Sequence, residues 1–105
     1  MLNKVNLVNG SYDYAAFVLN SGTSNYSAKS NQAALFLLIP IATKVYIWSD
    51  QNISFAFNST SYPAIPLNVG DGESPAEFKD IMTVTDIFLT NAGGSNANIK
   101  ILLGR

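Results

Sequence analysis

The side chains that carry most enzyme and metal chemistry are missing from this sequence. Its 105 residues include no histidine and no cysteine, so the chain lacks the commonest general base, the commonest metal ligand and the best nucleophile. A disulfide framework and a thiolate metal site are excluded for the same reason. The sequence therefore predicts a protein that is not an enzyme, with no catalytic, cofactor-binding or metal-binding residues and no cofactor.

Carboxylates are the remaining groups that could bind an ion, and four of them lie close together in the sequence. They are Asp71, Glu73, Glu77 and Asp80. Their oxygens could coordinate calcium, although their spacing fits no calcium-loop motif. A solvated connection whose acids favour the start of a helical turn is the simpler interpretation. Asp50 and Asp86 each stand alone among strand residues, so they predict no carboxylate pair for glycosidic chemistry.

Aromatic side chains offer a third kind of site, a platform on which sugar rings could stack. The candidates are Tyr12, Tyr14, Tyr26, Tyr46, Trp48 and Tyr62. Tyr46 and Trp48 alternate along one side of a predicted strand, beside a strand that carries Phe55 and Phe57. Large rings at such positions fill a sandwich core. We therefore expect core or subunit-interface positions, with a carbohydrate-binding platform as the alternative.

Charged residues make up 12% of the chain, about half the share of roughly 25% that is typical of soluble domains. Asparagine, serine and threonine take their place, as in residues 20–31, and the net charge is −1. Little long-range repulsion then keeps copies apart, which favours a homo-oligomer over a monomer that is simply rich in asparagine. The lysines and the arginine are scattered singly, so no nucleic-acid partner is expected.

The length fits one domain over residues 1–105, with a single core. The start of the chain, residues 1–6, lacks the apolar run of a signal peptide, so we expect synthesis in a cytoplasm without export. The longest apolar run, residues 33–41, has nine residues, whereas a helix that spans a bilayer needs about 20. We interpret this run as a core strand and expect no membrane partner.

Alternating and apolar segments predict an all-β protein. The predicted strands cover residues 3–8, 12–20, 33–41, 44–49, 53–57, 81–90 and 99–103. Turns rich in Gly, Asn, Ser and Asp separate them, which is typical of a sandwich or barrel. The sequence therefore predicts a single antiparallel β-sandwich of seven or eight strands. At most one short helical turn is expected, near residues 74–79, where Ser74, Pro75 and Glu77 form a capping-box pattern.

Side chains on one face of each predicted strand should form the core. Along residues 81–90 either face could point inward, and we favour the face of Ile81, Thr83, Thr85, Ile87 and Leu89. The predicted core residues are Val5, Leu7, Phe17, Leu19, Leu35, Leu37, Ile47, Phe55, Phe57, Ile87, Leu89, Ile99 and Ile101.

Several segments of the chain resemble small virion proteins of tailed bacteriophages. They are residues 45–49, 53–57, 66–70, 81–91 and 99–104. In those proteins a strand that ends in Leu-Thr-Asn leads through a turn rich in Gly, Ser and Ala into a last strand that ends in glycine. Here the corresponding residues are Leu89, Thr90, Asn91 and Gly104. The resemblance implies a jelly-roll-like sandwich.

The resemblance also implies a function in a virus particle. It implies an auxiliary capsid, decoration, fibre or tail component that is made in the host cytoplasm, forms a homo-oligomer and packs against other virion proteins. The alternative is a carbohydrate- or receptor-binding β-sandwich module. Exposure of Tyr46 and Trp48 on a concave surface would favour that alternative, whereas their burial against a second copy would favour the structural role.

Overall fold

The computed structural model describes residues 12–105, which form eight β-strands and two short helical segments. The strands are β1 Asp13–Leu19, β2 Thr23–Ser27, β3 Ala42–Ser49, β4 Ile53–Phe57, β5 Ile65–Leu67, β6 Ala76–Val84, β7 Ile87–Asn91 and β8 Ala97–Gly104. Helix α1 covers Ala28–Asn31, and a 3-10 turn covers Val69–Asp71. In residues 12–105 no helix is long and apolar enough to cross a membrane.

The strands pair in the order of a long hairpin that has been rolled up. β1 pairs with β8, β2 with β7, β3 with β6 and β4 with β5, all antiparallel. Two further pairs, β3 with β8 and β4 with β7, join them into sheets of order β1-β8-β3-β6 and β2-β7-β4-β5. This is the strand order of an eight-stranded jelly roll. The predicted all-β, jelly-roll-like sandwich is confirmed.

The core lies between the two sheets and follows the period-two alternation of strands. Val45 and Ile47 of β3 belong to it from one sheet, and Phe55 and Phe57 of β4 from the other, all at most 5% exposed. The rings of Phe55, Phe57 and Phe78 pack with their centroids 5.1–5.7 Å apart. β-branched and aromatic side chains suit such a half-buried pleated surface, which is why these segments form strands.

Most of the predicted core positions are confirmed. The buried ones are Leu19, Leu35, Ile47, Phe55, Phe57, Ile87, Leu89, Ile99 and Ile101. Phe17 is half-buried and stacks on Tyr26. The prediction for Leu37 is wrong, because its side chain is 69% exposed. Val5, Leu7 and the predicted strand at residues 3–8 lie outside the described residues.

Residues 33–41 form successive turns and bends, so the strand predicted there is wrong. The physical reason is a competing set of hydrogen bonds. The amides of Leu37, Leu38 and Ile39 all donate to the carboxylate of Asp13 at the start of β1, and so they are not available to a β-ladder. An apolar run without a period fits buried turns as well as a buried strand.

The single strand predicted over residues 81–90 is two strands, β6 and β7, which belong to different sheets. The favoured inward face is correct for Ile87 and Leu89, which are buried. The favoured face is wrong for the first half of the segment, because β6 contains a bulge before its last residue. The exposed members of that face are Ile81, Thr83 and Thr85.

The helical turn predicted near residues 74–79 is wrong. The Ser74 hydroxyl donates to the carbonyl of Ser49 at 2.9 Å and accepts from the Ser49 amide at 3.0 Å, so it caps no helix. Ala76 and Glu77 pair with β3 as the start of β6. Pairing with a neighbouring strand therefore overrides the local capping pattern.

Candidate functional site

Three of the four acidic residues predicted as a candidate calcium loop have partners, and each partner is different. The contacts are Glu73 with the amide of Asn68 at 2.8 Å, Glu77 with the ammonium of Lys79 at 3.4 Å and Asp80 with the ammonium of Lys44 at 3.0 Å. Asp71 is exposed in the 3-10 turn. In residues 12–105 no three Asp or Glu side chains are grouped so that they could hold a metal ion. Asp71 and Glu73 lie in the β5–β6 connection, whereas Glu77 and Asp80 belong to β6 and not to a helical turn.

The two isolated aspartates fix loops. Asp50 accepts from the backbone amide and the side-chain amide of Asn98 at 2.8 and 2.7 Å, which ties the β3–β4 turn to β8. Asp86 accepts from the hydroxyl of Ser27 at 2.7 Å and the amide of Lys29 at 3.1 Å, which ties the β6–β7 connection to α1. These two contacts lie at opposite ends of the sandwich, so the two carboxylates form no pair.

Sequence reasoning missed a buried carboxylate, that of Asp13. Its side chain is on the core side of β1, and the residue is 4% exposed. It accepts from the amides of Leu37, Leu38 and Ile39 at 2.9–3.1 Å. The signal in the sequence is an acid at a position where the alternation of the strand requires an apolar side chain.

The candidate aromatic side chains do not form one platform for sugar rings. Tyr46 is fully buried, and Trp48 is half-buried with the ammonium of Lys100 4.8 Å from its ring centroid. Tyr26 stacks on Phe17 with centroids 5.5 Å apart. The exposed members are Tyr12, Tyr14 and Tyr62. The first two lie at β1, whereas the third lies in the β4–β5 loop of the other sheet.

Four loops meet at one end of the sandwich, which we call the polar end. They are the β1–β2, β3–β4, β5–β6 and β7–β8 connections. The amide of Ser21 donates to Oδ1 of Asn96 at 2.9 Å, and its hydroxyl donates to the carbonyl of Gly93 at 2.6 Å. The amide of Val69 donates to Oδ1 of Asn52 at 2.8 Å. Amide and hydroxyl groups therefore join the loops to one another.

A cleft of about 240 Å³ lies among the loops of the polar end. It is lined by Asp50, Gln51, Asn52, Val69, Asn91, Gly93 and Ser95. The amide of Asn91 is buried and donates to the carbonyls of Leu19 and Ser95. The side-chain amide of Gln51 and the hydroxyl of Ser95 make no hydrogen bond to any of residues 12–105. The cleft therefore offers free polar groups to a small polar ligand.

The opposite end of the sandwich, which we call the apolar end, exposes large apolar side chains. They are Leu37 at 69%, Leu38 at 68%, Ile41 at 40%, Ile81 at 72% and Met82 at 40%. The first three belong to the turns before β3, and the last two to the bulge of β6. The two segments are neighbours, because Ala42 pairs with Val84 directly after the bulge. β3 begins at this end and finishes among the polar loops.

The bulge of β6 covers residues 80–83, between the pairs that Val84 and Lys79 make with β3. Asp80 has a φ of 57°, in the left-handed region, and its carboxylate contacts the ammonium of Lys44 at 3.0 Å. Lys44 is only 7% exposed. The ion pair therefore neutralises a buried charge at the base of the apolar end.

Comparison of the chain with models of protein families, with curated proteins and with solved structures finds no match. Similarity therefore supplies no ligand or partner.

Proposed function

We propose that this protein is a non-catalytic virion structural protein that self-assembles and packs on other components of a virus particle. In the particle it would serve as an auxiliary capsid, decoration, fibre or tail protein. The observation that carries the proposal is the apolar end, where Leu37, Leu38 and Ile81 are 69%, 68% and 72% exposed. Exposed apolar patches of this kind mark sites of contact between proteins.

Hydrogen bonds to a buried carboxylate hold Leu37 and Leu38 in their exposed positions. Their amides donate to Asp13, which is 4% exposed, so the acceptor lies in the interior. Hydrogen bonds to an ionised acceptor are stronger than those between neutral groups. The two leucines therefore form a fixed surface, and a fixed surface loses less conformational entropy on association than a flexible loop does.

The buried charge at the apolar end is paired. Lys44 is buried and paired with Asp80, and the whole chain has a net charge of −1. An interface made by apolar groups gains free energy in proportion to the area removed from water. Salt should change the strength of such an interface little, because few of its contacts are ion pairs that ions can screen.

The jelly-roll strand order supports a virion part at the level of the fold. Viral capsid proteins use this architecture, as do lectins and cupins, so it supports a class of function and no single activity. The sequence resemblance to small virion proteins points in the same direction.

Sedimentation of the purified protein at low and high ionic strength tests the proposal. Self-assembly through apolar contacts should give a multiple of the chain mass of 11.3 kDa in both conditions. A monomer in both conditions would contradict it.

A carbohydrate- or receptor-binding module is the second candidate, and the cleft of the polar end favours it. Gln51 and Ser95 present free amide and hydroxyl groups there, which could bond to sugar hydroxyls. No aromatic ring lines this cleft. A titration with monosaccharides followed by NMR would support this candidate if loop signals shift saturably and if Gln51→Ala abolishes the shift.

A further inference from the structure

The outer face of the sheet β1-β8-β3-β6 carries a shallow depression of about 460 Å³. β1 contributes Ala16 and Val18 to its lining, and β8 contributes Asn98 and Lys100. Trp48 of β3 forms the wall opposite β1. These side chains alternate along their strands with more deeply buried residues, so they point away from the core. None of them lines the cleft of the polar end, so the depression is a separate site.

Regular strand pairing fixes the charged group of the depression, the ammonium of Lys100. Lys100 is the register partner of Ala16 on one side of β8 and of Trp48 on the other. Both ladders run along β8 without a bulge, and the ammonium lies 4.8 Å from the centroid of the Trp48 ring. This cation–π contact restricts the lysine side chain. A ligand that binds the ammonium therefore loses less free energy to the ordering of that side chain.

No carboxylate of residues 12–105 pairs with the ammonium of Lys100, and these residues include all seven Asp and Glu side chains of the chain. The ion pairs in this part of the chain belong to Lys44 and Lys79. Contact with a ring face leaves the N–H groups of an ammonium able to donate, and no group of residues 12–105 accepts a hydrogen bond from Lys100. The depression therefore presents a half-buried positive charge, to which an anionic group is complementary.

Asn98 supplies a hydrogen-bond acceptor at the end of the depression that faces the β3–β4 turn. Its Nδ2 donates to Oδ2 of Asp50 at 2.7 Å, which fixes the orientation of the side-chain amide. Its Oδ1 accepts no hydrogen bond from residues 12–105, so it suits a hydroxyl group of a ligand. The Asp50 carboxylate repels an anion at this end. The anionic group of a ligand therefore belongs at Lys100, and its hydroxyl groups belong at Asn98.

Apolar surface flanks these two polar groups, because Val18 is 51% exposed and the half-buried ring of Trp48 lies on the other side. A fitting ligand combines one anionic group, hydroxyl groups and apolar C–H groups. We propose that the depression binds an acidic sugar, a sugar whose ring carries a carboxylate. Lys100 pairs with the carboxylate, Asn98 accepts a hydrogen bond from a hydroxyl group, and the C–H groups contact Trp48 and Val18. This inference goes beyond the proposed function and does not depend on self-assembly.

Titration with sodium glucuronate and sodium galacturonate tests the site. Trp48 is the only tryptophan of the chain, so its indole N–H signal in NMR spectra reports on the depression. At least one of the two acids should shift this signal saturably, and high salt should weaken the binding. Glucose and galactose lack the carboxylate and acetate lacks the ring, so each should bind at least about fivefold more weakly. No saturable shift with either acid, or equally strong binding of acetate or of a neutral sugar, would overturn the proposal.

Lys100→Met tests the role of the ammonium, because it removes the charge and keeps an apolar stem. Binding of the acid should weaken at least about fivefold with unchanged circular dichroism. Lys79→Met removes the same charge from an exposed position on β6 and should bind like the wild type. A folded Lys100→Met protein that binds like the wild type would overturn the proposal. If this variant does not fold, the comparison of acidic with neutral sugars on the wild type decides.

The two proposals fail separately. A wild-type protein that stays monomeric and binds an acidic sugar would contradict self-assembly and leave the sugar site standing. A wild-type oligomer that binds neither acid would overturn the sugar site and leave the proposed function standing.

Discussion

The carboxylate of Asp13 accepts a hydrogen bond from the backbone amide of Leu38, which lies 25 residues further along the chain. The amide nitrogen is 3.1 Å from Oδ1 and 3.0 Å from Oδ2. Asp13 is buried, whereas the side chain of Leu38 is 68% exposed. The buried carboxylate of Asp13 therefore fixes the position of the exposed Leu38 side chain. The same contact contributes to the stability of the fold and holds in place the apolar surface on which the proposed function depends.

Loss of the Asp13 carboxylate should destabilise the fold. Asp13→Ala leaves the amides of Leu37, Leu38 and Ile39 without their acceptor, and a buried unsatisfied group costs about 1–3 kcal/mol. We expect a decrease of about 3 kcal/mol in the free energy of unfolding in urea. Asp71→Ala removes an exposed carboxylate and serves as the control. Equal stability of the two variants would show that the Asp13 contacts do not hold the turns.

Truncation of a core ring should be costly. Phe55 is 1% exposed and its ring contacts those of Phe57 and Phe78, so Phe55→Ala should lower the free energy of unfolding by about 3–5 kcal/mol. Tyr62→Ala removes a ring that is 57% exposed and should change it by no more than about 0.5 kcal/mol. Thermal or urea unfolding of both variants checks the assignment of the core face, and a small loss for Phe55→Ala would contradict it.

The amide of Asn91 should stabilise the polar end. It is fully buried and bonds to the carbonyls of Leu19 and Ser95 and to the amide of Gly93. Asn91→Ala should cost about 2 kcal/mol and speed hydrogen exchange in the β7–β8 loop. Asn68→Ala is the control, because its side chain caps no helical turn. Unchanged exchange in the loop would argue against the role of Asn91.

The apolar end should affect assembly and leave stability almost unchanged. Leu37→Ser combined with Leu38→Ser replaces two side chains that are 69% and 68% exposed, so the free energy of unfolding should change by no more than about 1 kcal/mol. Association should weaken by at least about tenfold, which corresponds to roughly 1.4 kcal/mol. Val18→Ser, which replaces a side chain that is 51% exposed beside the polar end, should associate like the wild type. Wild-type association of the double variant would remove the apolar end from the interface.

The strands at residues 44–49 and 53–57 could be predicted because their alternation is a local property of the sequence. Residues 33–41 could not, since their conformation depends on Asp13, which is distant in the sequence. Residues 81–90 alternate without a break, yet the β6 bulge and the change of sheet divide them. The isolated Asp86 was the only local sequence signal that the segment divides there.

The two ends of the sandwich could not be predicted because they depend on which loops the topology brings together. The polar cleft combines Asp50 and Gln51 with Ser95, which lies in a different loop. The apolar end joins the turns before β3 to a bulge, and no sequence pattern marks the ion pair of Lys44 with Asp80 beneath it. Low charge and the absence of histidine and cysteine, in contrast, follow from composition alone.

The mass of the protein in solution is the most direct test of the proposal that it self-assembles. Sedimentation equilibrium over a concentration series should give a multiple of 11.3 kDa, with association constants that differ little between low and high ionic strength. The reason is that, in the proposed assembly, apolar side chains of the apolar end make the contacts. A mass of 11.3 kDa at every concentration and in both salt conditions would contradict the proposal and favour the binding module.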